Sequence, residues 1–128
     1  MPYIALPPGV YYIQSTEKEA KNVTSPSAHG SQLFVADPTT EAKQQWLITS
    51  DGAMVAMESH SFSWTDLTEN LDEQHVNRHN SKSIQWIIKV KRKRGKFEGT
   101  ILTPDKSQRS WGLNGNNVRI PPLNRSRR

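Results

Sequence analysis

Gln44-Gln45-Trp46-Leu47-Ile48 returns forty residues later as Ile84-Gln85-Trp86-Ile87-Ile88. Each block follows a stretch of apolar residues led by glycine. Gly9-Val10-Tyr11-Tyr12-Ile13 precedes the first, and Gly52-Ala53-Met54-Val55-Ala56-Met57 precedes the second. From Gly9 to Trp46 is 37 residues, and from Gly52 to Trp86 is 34. A third opening stands at Gly95-Lys96-Phe97-Glu98-Gly99-Thr100-Ile101. The same spacing puts its tryptophan at about 129 to 132, past Arg128. A unit of this length used three times cannot bury its apolar face alone, so the copies must share one core.

Working outward, the chain reads as short strands separated by breakers. Tyr11–Ser15 follows Pro7-Pro8-Gly9, and Leu33–Ala36 stops at Asp37-Pro38. Trp46–Thr49 is closed by Ser50-Asp51-Gly52, a hairpin turn with glycine where φ > 0 is wanted. Met54–Ser59, Phe62–Thr65 and a short strand at Val76 follow. Ile84–Val90 is the strongest strand and turns at Arg94-Gly95 into Lys96–Thr103. Ser110–Leu113 and Val118–Ile120 finish the series. Glu17–Asn22 is too short and polar to count as an element. Ser25–Ser31 reads as a loop, and Leu67–Glu73 as the weakest region, with a helical turn as its most regular option.

About eleven short strands at this spacing predict an all-β barrel or sandwich. Assigned by repeat they count four, four and three. The inner tryptophans Trp64 and Trp111, and the apolar Val35, Val76 and Val118 with Ile120, recur in the same order within the copies. Three four-stranded repeats make a β-trefoil, and residues 1–128 are expected to form one such domain. The third repeat lacks its last strand. The predicted core comprises Leu33, Val35, Trp46, Ile48, Trp86, Ile88, Ile101 and Ile120, with Trp64 and Trp111 also inside. An open edge is expected between Val118–Ile120 and the first strand, a place for self-association. Met1–Leu6 is the alternative closing strand.

The framework Gly-Val-Tyr-Tyr-Ile-Gln from Gly9, Gln-Trp-Leu-Ile from Gln45, Gln-Trp-Ile-Ile from Gln85, Trp-Gly-Leu from Trp111 and Val-Arg-Ile-Pro-Pro-Leu from Val118 resembles the small fungal β-trefoil protease inhibitors. The mushroom serine-protease inhibitors known as mycospins are the nearest in pattern. The resemblance spans nearly the whole chain and rests on apolar framework positions. It implies a cytosolic, disulfide-free trefoil that inserts one exposed loop into a protease cleft. Members use different loops, so the resemblance assigns no reactive residue here.

Composition agrees with one compact domain. The 128 residues are 34% apolar, with no cysteine and a formal charge of +5. There is no thiolate nucleophile and no cysteine-based metal site. No apolar run is long enough for a membrane helix. The first residues lack the charged and apolar regions of a secretory signal, so a cytoplasmic protein is expected, and the sequons at Asn22 and Asn124 read as chance. The charge is clustered. Lys89, Lys91, Arg92, Lys93, Arg94 and Lys96 lie in one eight-residue stretch, and four arginines lie in the last ten residues.

Catalytic chemistry finds no motif. There is no Gly-x-Ser-x-Gly elbow and no phosphate-cradling loop. His75 and His79 have the i, i+4 spacing of helix-borne zinc ligands but lie in a strand-like stretch without the adjacent glutamate, so no metal is expected. His29 and His60 read as solvated. Gln44-Gln45-Trp46 matches the Gln-x-Trp signature of ricin-type trefoil lectins, which makes carbohydrate binding the alternative function. Ile84 breaks that signature in the second copy, and large aromatics dominate cores. The basic stretch has only Phe97 beside it, too little stacking surface to make nucleic acid the expected partner.

The expected function is therefore protease inhibition, with a serine endopeptidase as partner, no catalytic residue, no metal and no cofactor. The contact candidates are the basic turn at Arg92, Lys93 and Arg94, the loop Ser25, Pro26, Ser27, Ala28, His29 up to Gly30, and Arg125 on the tail. A trypsin-like target wants an inserted cation. The turn is favoured over the tail because strands fix both its ends.

Overall fold

In the computed structural model of the protein, residues 2–17 and 21–122 are described. Among them are thirteen strands of two to seven residues and one short 3₁₀ turn. The strands are β1 (Ile4–Ala5), β2 (Gly9–Tyr11), β3 (Asn22–Thr24), β4 (Phe34–Ala36), β5 (Trp46–Ile48), β6 (Met54–Ala56), β7 (Phe62–Trp64), β8 (Gln74–His75), β9 (Asn77–His79), β10 (Ile87–Lys93), β11 (Lys96–Leu102), β12 (Gly112–Asn114) and β13 (Asn117–Ile120). The 3₁₀ turn is Ala42–Gln44. The protein is all-β, with three antiparallel sheets, none of which closes on itself. No helix among the described residues is long and apolar enough to cross a membrane.

Each Gly-led stretch pairs with a tryptophan strand. Tyr11 lies opposite Trp46, and Trp46 opposite Ala56, so β5 sits between β2 and β6. In β10, Ile88 lies opposite Ile101 of β11, and the Trp86 amide donates to Gly52 O at 3.2 Å. Both tryptophans are buried, and both satisfy their indole N–H on a residue 23 positions earlier. Trp46 Nε1 donates to Val23 O at 3.1 Å and Trp86 Nε1 to Ser63 Oγ at 2.8 Å. A buried indole needs such an acceptor, because an unpaired donor in the core is destabilising.

The second sheet joins the copies at one end. Leu33 N donates to Val76 O, Val76 N to Val118 O, and Val118 N to Leu33 O, at 2.8, 3.2 and 2.9 Å. Leu33 stands here where the sequence repeat set Val35 beside Val76 and Val118, and the three bonded residues are fully buried. They close a ring of backbone hydrogen bonds beneath one hydrophobic cluster that also holds Val23, Val35, Trp46, Ile48, Met54, Ala56, Ile84, Trp86 and Ile120.

Six of the eight expected core residues are buried. Ile88 and Ile101 are only half-buried, as are Trp64 and Trp111, although all four pack against the cluster. Ile88, Ile101 and Trp111 are exposed by a groove of about 1440 Å³ that they line, between β2 and β11. This also corrects the position of the open edge. β13 is paired with β12 on one side and with β4 and β8 on the other. β2 and β11 are each an outer strand of their sheet, and the outer side of β11 is bridged at its end, Leu102 to Ser110, with the Trp111 amide donating to Ile101 O at 2.9 Å. The N-terminal segment does form a strand, but β1 pairs with β10, Ile4 opposite Val90, and not with β13.

Two local expectations also change. Asn22–Thr24, with one apolar residue, is a strand because Val23 lies opposite Val35 and all three residues are buried. Leu67–Glu73 contains turns and no helix; Asp66 shapes its start by accepting from the Thr68 amide at 2.9 Å and the Glu69 amide through its carbonyl at 3.2 Å.

Candidate functional site

The basic turn is the tip of the β10–β11 hairpin. Lys93 lies opposite Lys96, so only Arg94 and Gly95 make the turn. Both have positive φ, 54° and 78°, the conformation of the tight two-residue hairpin turns that match strand twist. Arg92, Lys93 and Arg94 are exposed. Arg92 lies over the Phe97 ring at 4.7 Å, and Lys93 pairs with Glu98 at 3.4 Å. Lys91 covers the Tyr3 ring at 5.6 Å. Most of the cluster is thus engaged along the ladder, leaving Arg94 at the apex in a left-handed turn. A left-handed residue does not offer the extended backbone by which a substrate enters a protease cleft.

The loop from Ser25 to Gly30 is built differently. Ser25 and Pro26 are buried, while Ser27, Ala28, His29 and Gly30 are exposed. Four backbone positions around the exposed stretch are held. Ser25 N donates to Lys43 O at 2.9 Å, and Gly30 N to Arg78 O at 2.8 Å. Arg78 Nη1 donates to Pro26 O at 3.0 Å, and Arg78 N to Ser31 O at 2.9 Å. One residue of β9 therefore clamps both flanks of the loop. Gly30, with φ of 86°, turns the chain where a side chain would be strained.

His29 is exposed yet not freely solvated. Its ring meets the His79 ring edge-on at 4.5 Å, and its Nδ1 accepts from the Asn80 amide at 3.1 Å. His79 Nδ1 in turn accepts from the Ser81 and Lys82 amides at 3.1 and 2.8 Å. Burial, then the neighbouring His29 and Lys82 charges, hold the His79 pKa below the ordinary imidazole value. The i, i+4 partner His75 lies exposed in β8, opposite Arg119. Among the described residues no three metal-ligating side chains come together.

The structure does not join the two candidate contacts into one surface through any described contact. Arg125, the third candidate, lies outside the described residues. The residues a sugar would need are engaged in turns. Asp37 binds Lys21 at 2.7 Å. Asp51 accepts from Thr49 and, at 3.0 Å, from Gln85. Gln44 of the Gln-x-Trp signature is buried, donating to Asp37 O at 2.9 Å and accepting from the Thr39 amide at 2.8 Å. Sequence reasoning missed Arg78 and Asn80 as loop supports. Their partners lie about fifty residues away, and no local pattern signals such a contact.

No family model, curated protein or solved structure matched the chain in the comparisons made.

Proposed function

We propose that the protein is a β-trefoil recognition module that inhibits a serine endopeptidase through the loop Ser25–Gly30. The ring formed by Leu33, Val76 and Val118 and the two equivalent indole bonds support the threefold reading of the fold. The observation that carries the functional reading is the clamp of Arg78 on both flanks of an exposed loop. A loop already ordered before binding loses less entropy when it docks, which is how a short segment on a rigid scaffold binds tightly. The resemblance of the framework to fungal trefoil inhibitors supports the same reading.

The side chains of the loop set the target class. Ser27 and Ala28 are small and uncharged, so they suit a protease with a small specificity pocket better than one that binds a cation. The hairpin tip offers cations, but in a tight turn.

The test is a panel of serine endopeptidases with small, aromatic and basic specificity, assayed with the protein and two variants. Inhibition of a small-pocket enzyme is expected, lost on Ala28→Trp and kept when Arg92, Lys93 and Arg94 are all changed to alanine. Inhibition confined to a trypsin-like enzyme and lost with the triple change would replace the loop by the turn. Inhibition of none of the panel would end the inhibitor reading.

A further inference from the structure

We propose that the solvent face of the β10–β11 ribbon, with Tyr3 and the cleft beside it, is a binding site for single-stranded nucleic acid. The site is separate from Ser25–Gly30 and does not depend on the inhibitory reading.

β10 lies between β1 and β11, antiparallel to both, and its successive side chains point to opposite sides. Val90 is buried, while Lys89 and Lys93 are exposed and Lys91 is half-buried, so the lysines share the face turned to solvent. Alternate residues of a strand stand about 7 Å apart. The three lysines are thus rooted in a row whose spacing is comparable with that of successive phosphates along an extended nucleic-acid strand. Lys96, opposite Lys93, adds a fourth cation to the row. Arg92 belongs to the other side, where its guanidinium covers the Phe97 ring at 4.7 Å. Glu98, opposite Lys91, is the one carboxylate on these two strands. It pairs with Lys93 at 3.4 Å, but both side chains are largely exposed. An ion pair in that setting contributes little, and a phosphate replaces the carboxylate readily. Four lysines against one carboxylate leave the face with a net charge of three.

Charge alone suits any polyanion, and the aromatic surface narrows the choice. Ile4 lies opposite Val90, which carries Tyr3 alongside Lys91. The Lys91 ammonium stands 5.6 Å from the centre of the Tyr3 ring, and Tyr3 is 57% exposed. The linear sequence sets only Phe97 near the cations; the fold adds this second ring on the lysine side. Next to it opens a cleft of about 450 Å³, lined by Tyr3, Ala5, Ser50, Asp51, Ile87 and Lys89. Asp51 accepts from Thr49 and, at 3.0 Å, from Gln85, which holds its carboxylate at the wall as an acceptor for a base N–H. An exposed ring for a base beside a cationic track for the backbone is the combination that holds single strands with little regard to sequence. In a duplex the faces of the bases are covered by their neighbours, and a sulfated glycan has no base, so neither uses Tyr3 or the cleft.

The experiment uses the whole protein and a fluorescein-labelled oligothymidylate of about sixteen nucleotides, within the site sizes of single-strand-binding domains. Anisotropy should show saturable binding that weakens with salt. Three or four neutralised phosphates give a slope of about −2 to −3 in log K against log salt. Changing Lys89, Lys91 and Lys93 together to glutamine should weaken binding at least about tenfold and flatten that slope. The same change at Lys43, Lys82 and Lys106, outside the ribbon, should leave both nearly unchanged. Tyr3→Ala should weaken binding about fivefold or more, the lower end for loss of a base–aromatic stack, and keep the slope. In the unaltered protein, NMR titration with the unlabelled oligomer should move the amides of Tyr3, Ala5, Asp51 and Lys89–Lys93. The proposal is overturned by no saturable binding at about 50 mM salt, by a row variant no weaker than the control, or by binding indifferent to Tyr3→Ala. It is also overturned if the amide shifts map elsewhere, or if a duplex or a sulfated glycan of matched charge binds more tightly than the single strand, since the face then reads charge alone.

Discussion

Leu33 donates its backbone N–H to the carbonyl of Val76 at 2.8 Å, across 43 residues of chain. Val118 completes the ring with both of them, so one residue from each repeat unit fixes the other two. Their side chains fill the base of the core, and none is more than 1% exposed. Long-range backbone bonds and apolar burial thus coincide at these three positions.

Truncation in this ring should be felt by the whole domain. Leu33→Ala is expected to destabilise by about 2 to 5 kcal/mol, the range for a large-to-small change in a packed core. Val76→Ala and Val118→Ala should cost less, because fewer atoms are removed. Urea unfolding with a single transition measures all three. A loss below about 1 kcal/mol for Leu33→Ala would show that the site collapses around the change and that the ring is not a shared core.

Gly52 should be far less tolerant than Gly95. Both have positive φ, 92° and 78°. A Cβ on Gly52 would stand 2.0 Å from the Trp86 carbonyl oxygen, whereas one on Gly95 meets nothing within 4 Å. Gly95→Ala therefore carries the left-handed penalty alone, about 1 kcal/mol. Gly52→Ala adds a backbone clash at the place where Trp86 N bonds Gly52 O, and a loss of roughly 3 kcal/mol or more is expected. Equal midpoints for the two variants in chemical denaturation would refute the close approach.

How much of this was legible in the sequence follows from where each signal lies. Trp46 and Trp86 announced themselves because a large aromatic recurs at fixed distance from glycine, and both are buried. Gly52 was legible as a turn, though not its approach to Trp86. Ile88 and Ile101 looked equally apolar and are half-exposed, since their burial depends on what lies between β2 and β11, which no local pattern encodes. Asn22-Val23-Thr24 was missed because its burial comes from Val35 and Trp46, not from its own hydrophobicity. At the candidate loop, the small exposed residues after Pro26 could be read. The Arg78 clamp could not, because an arginine's reach across 52 residues leaves no trace in spacing.

Arg109 is a buried cation, 7% exposed, whose described partners are mostly neutral. Its Nη1 donates to Gln74 Oε1 at 2.9 Å and Asn70 Oδ1 at 3.3 Å, and its Nε to Ser107 Oγ at 3.2 Å. Asp105 supplies the nearby negative charge. Burial alone would raise its pKa, but hydrogen bonds from Ser107 and Thr103, with the Arg109 charge, hold it below the ordinary carboxylate value. Arg109→Ala should destabilise by about 2 to 4 kcal/mol, because it removes the donor to the buried Gln74 Oε1. Arg109→Gln should also raise the Asp105 pKa, read by side-chain NMR. An Asp105 titration unchanged by that substitution would show that the two do not interact.

The His29–His79 contact makes the candidate loop sensitive to acid. Both imidazoles accept a backbone amide at Nδ1, and His79 accepts two, so its ring is arranged as the neutral form with the proton on Nε2. Protonating His79 would place a charge 4.5 Å from the His29 ring and near Lys82, while removing the acceptor for Ser81 and Lys82. The Trp64 ring, 5.3 Å away, does not compensate by a charge of its own. Because the folded pKa lies below the unfolded value, the unfolded chain binds more protons across the interval between them. The stabilising contribution is full above the unfolded imidazole pKa of about 6.5 and is lost as pH falls from there through the lowered folded value. The wild-type protein should therefore lose more stability between pH 8 and pH 5 than His79→Gln does. Amide exchange at Ser27–Gly30 should rise, beyond its intrinsic pH dependence, over the same interval in the wild type alone. Equal losses in the two proteins, or an NMR titration of His79 at or above the unfolded value, would remove the histidine pair as the cause.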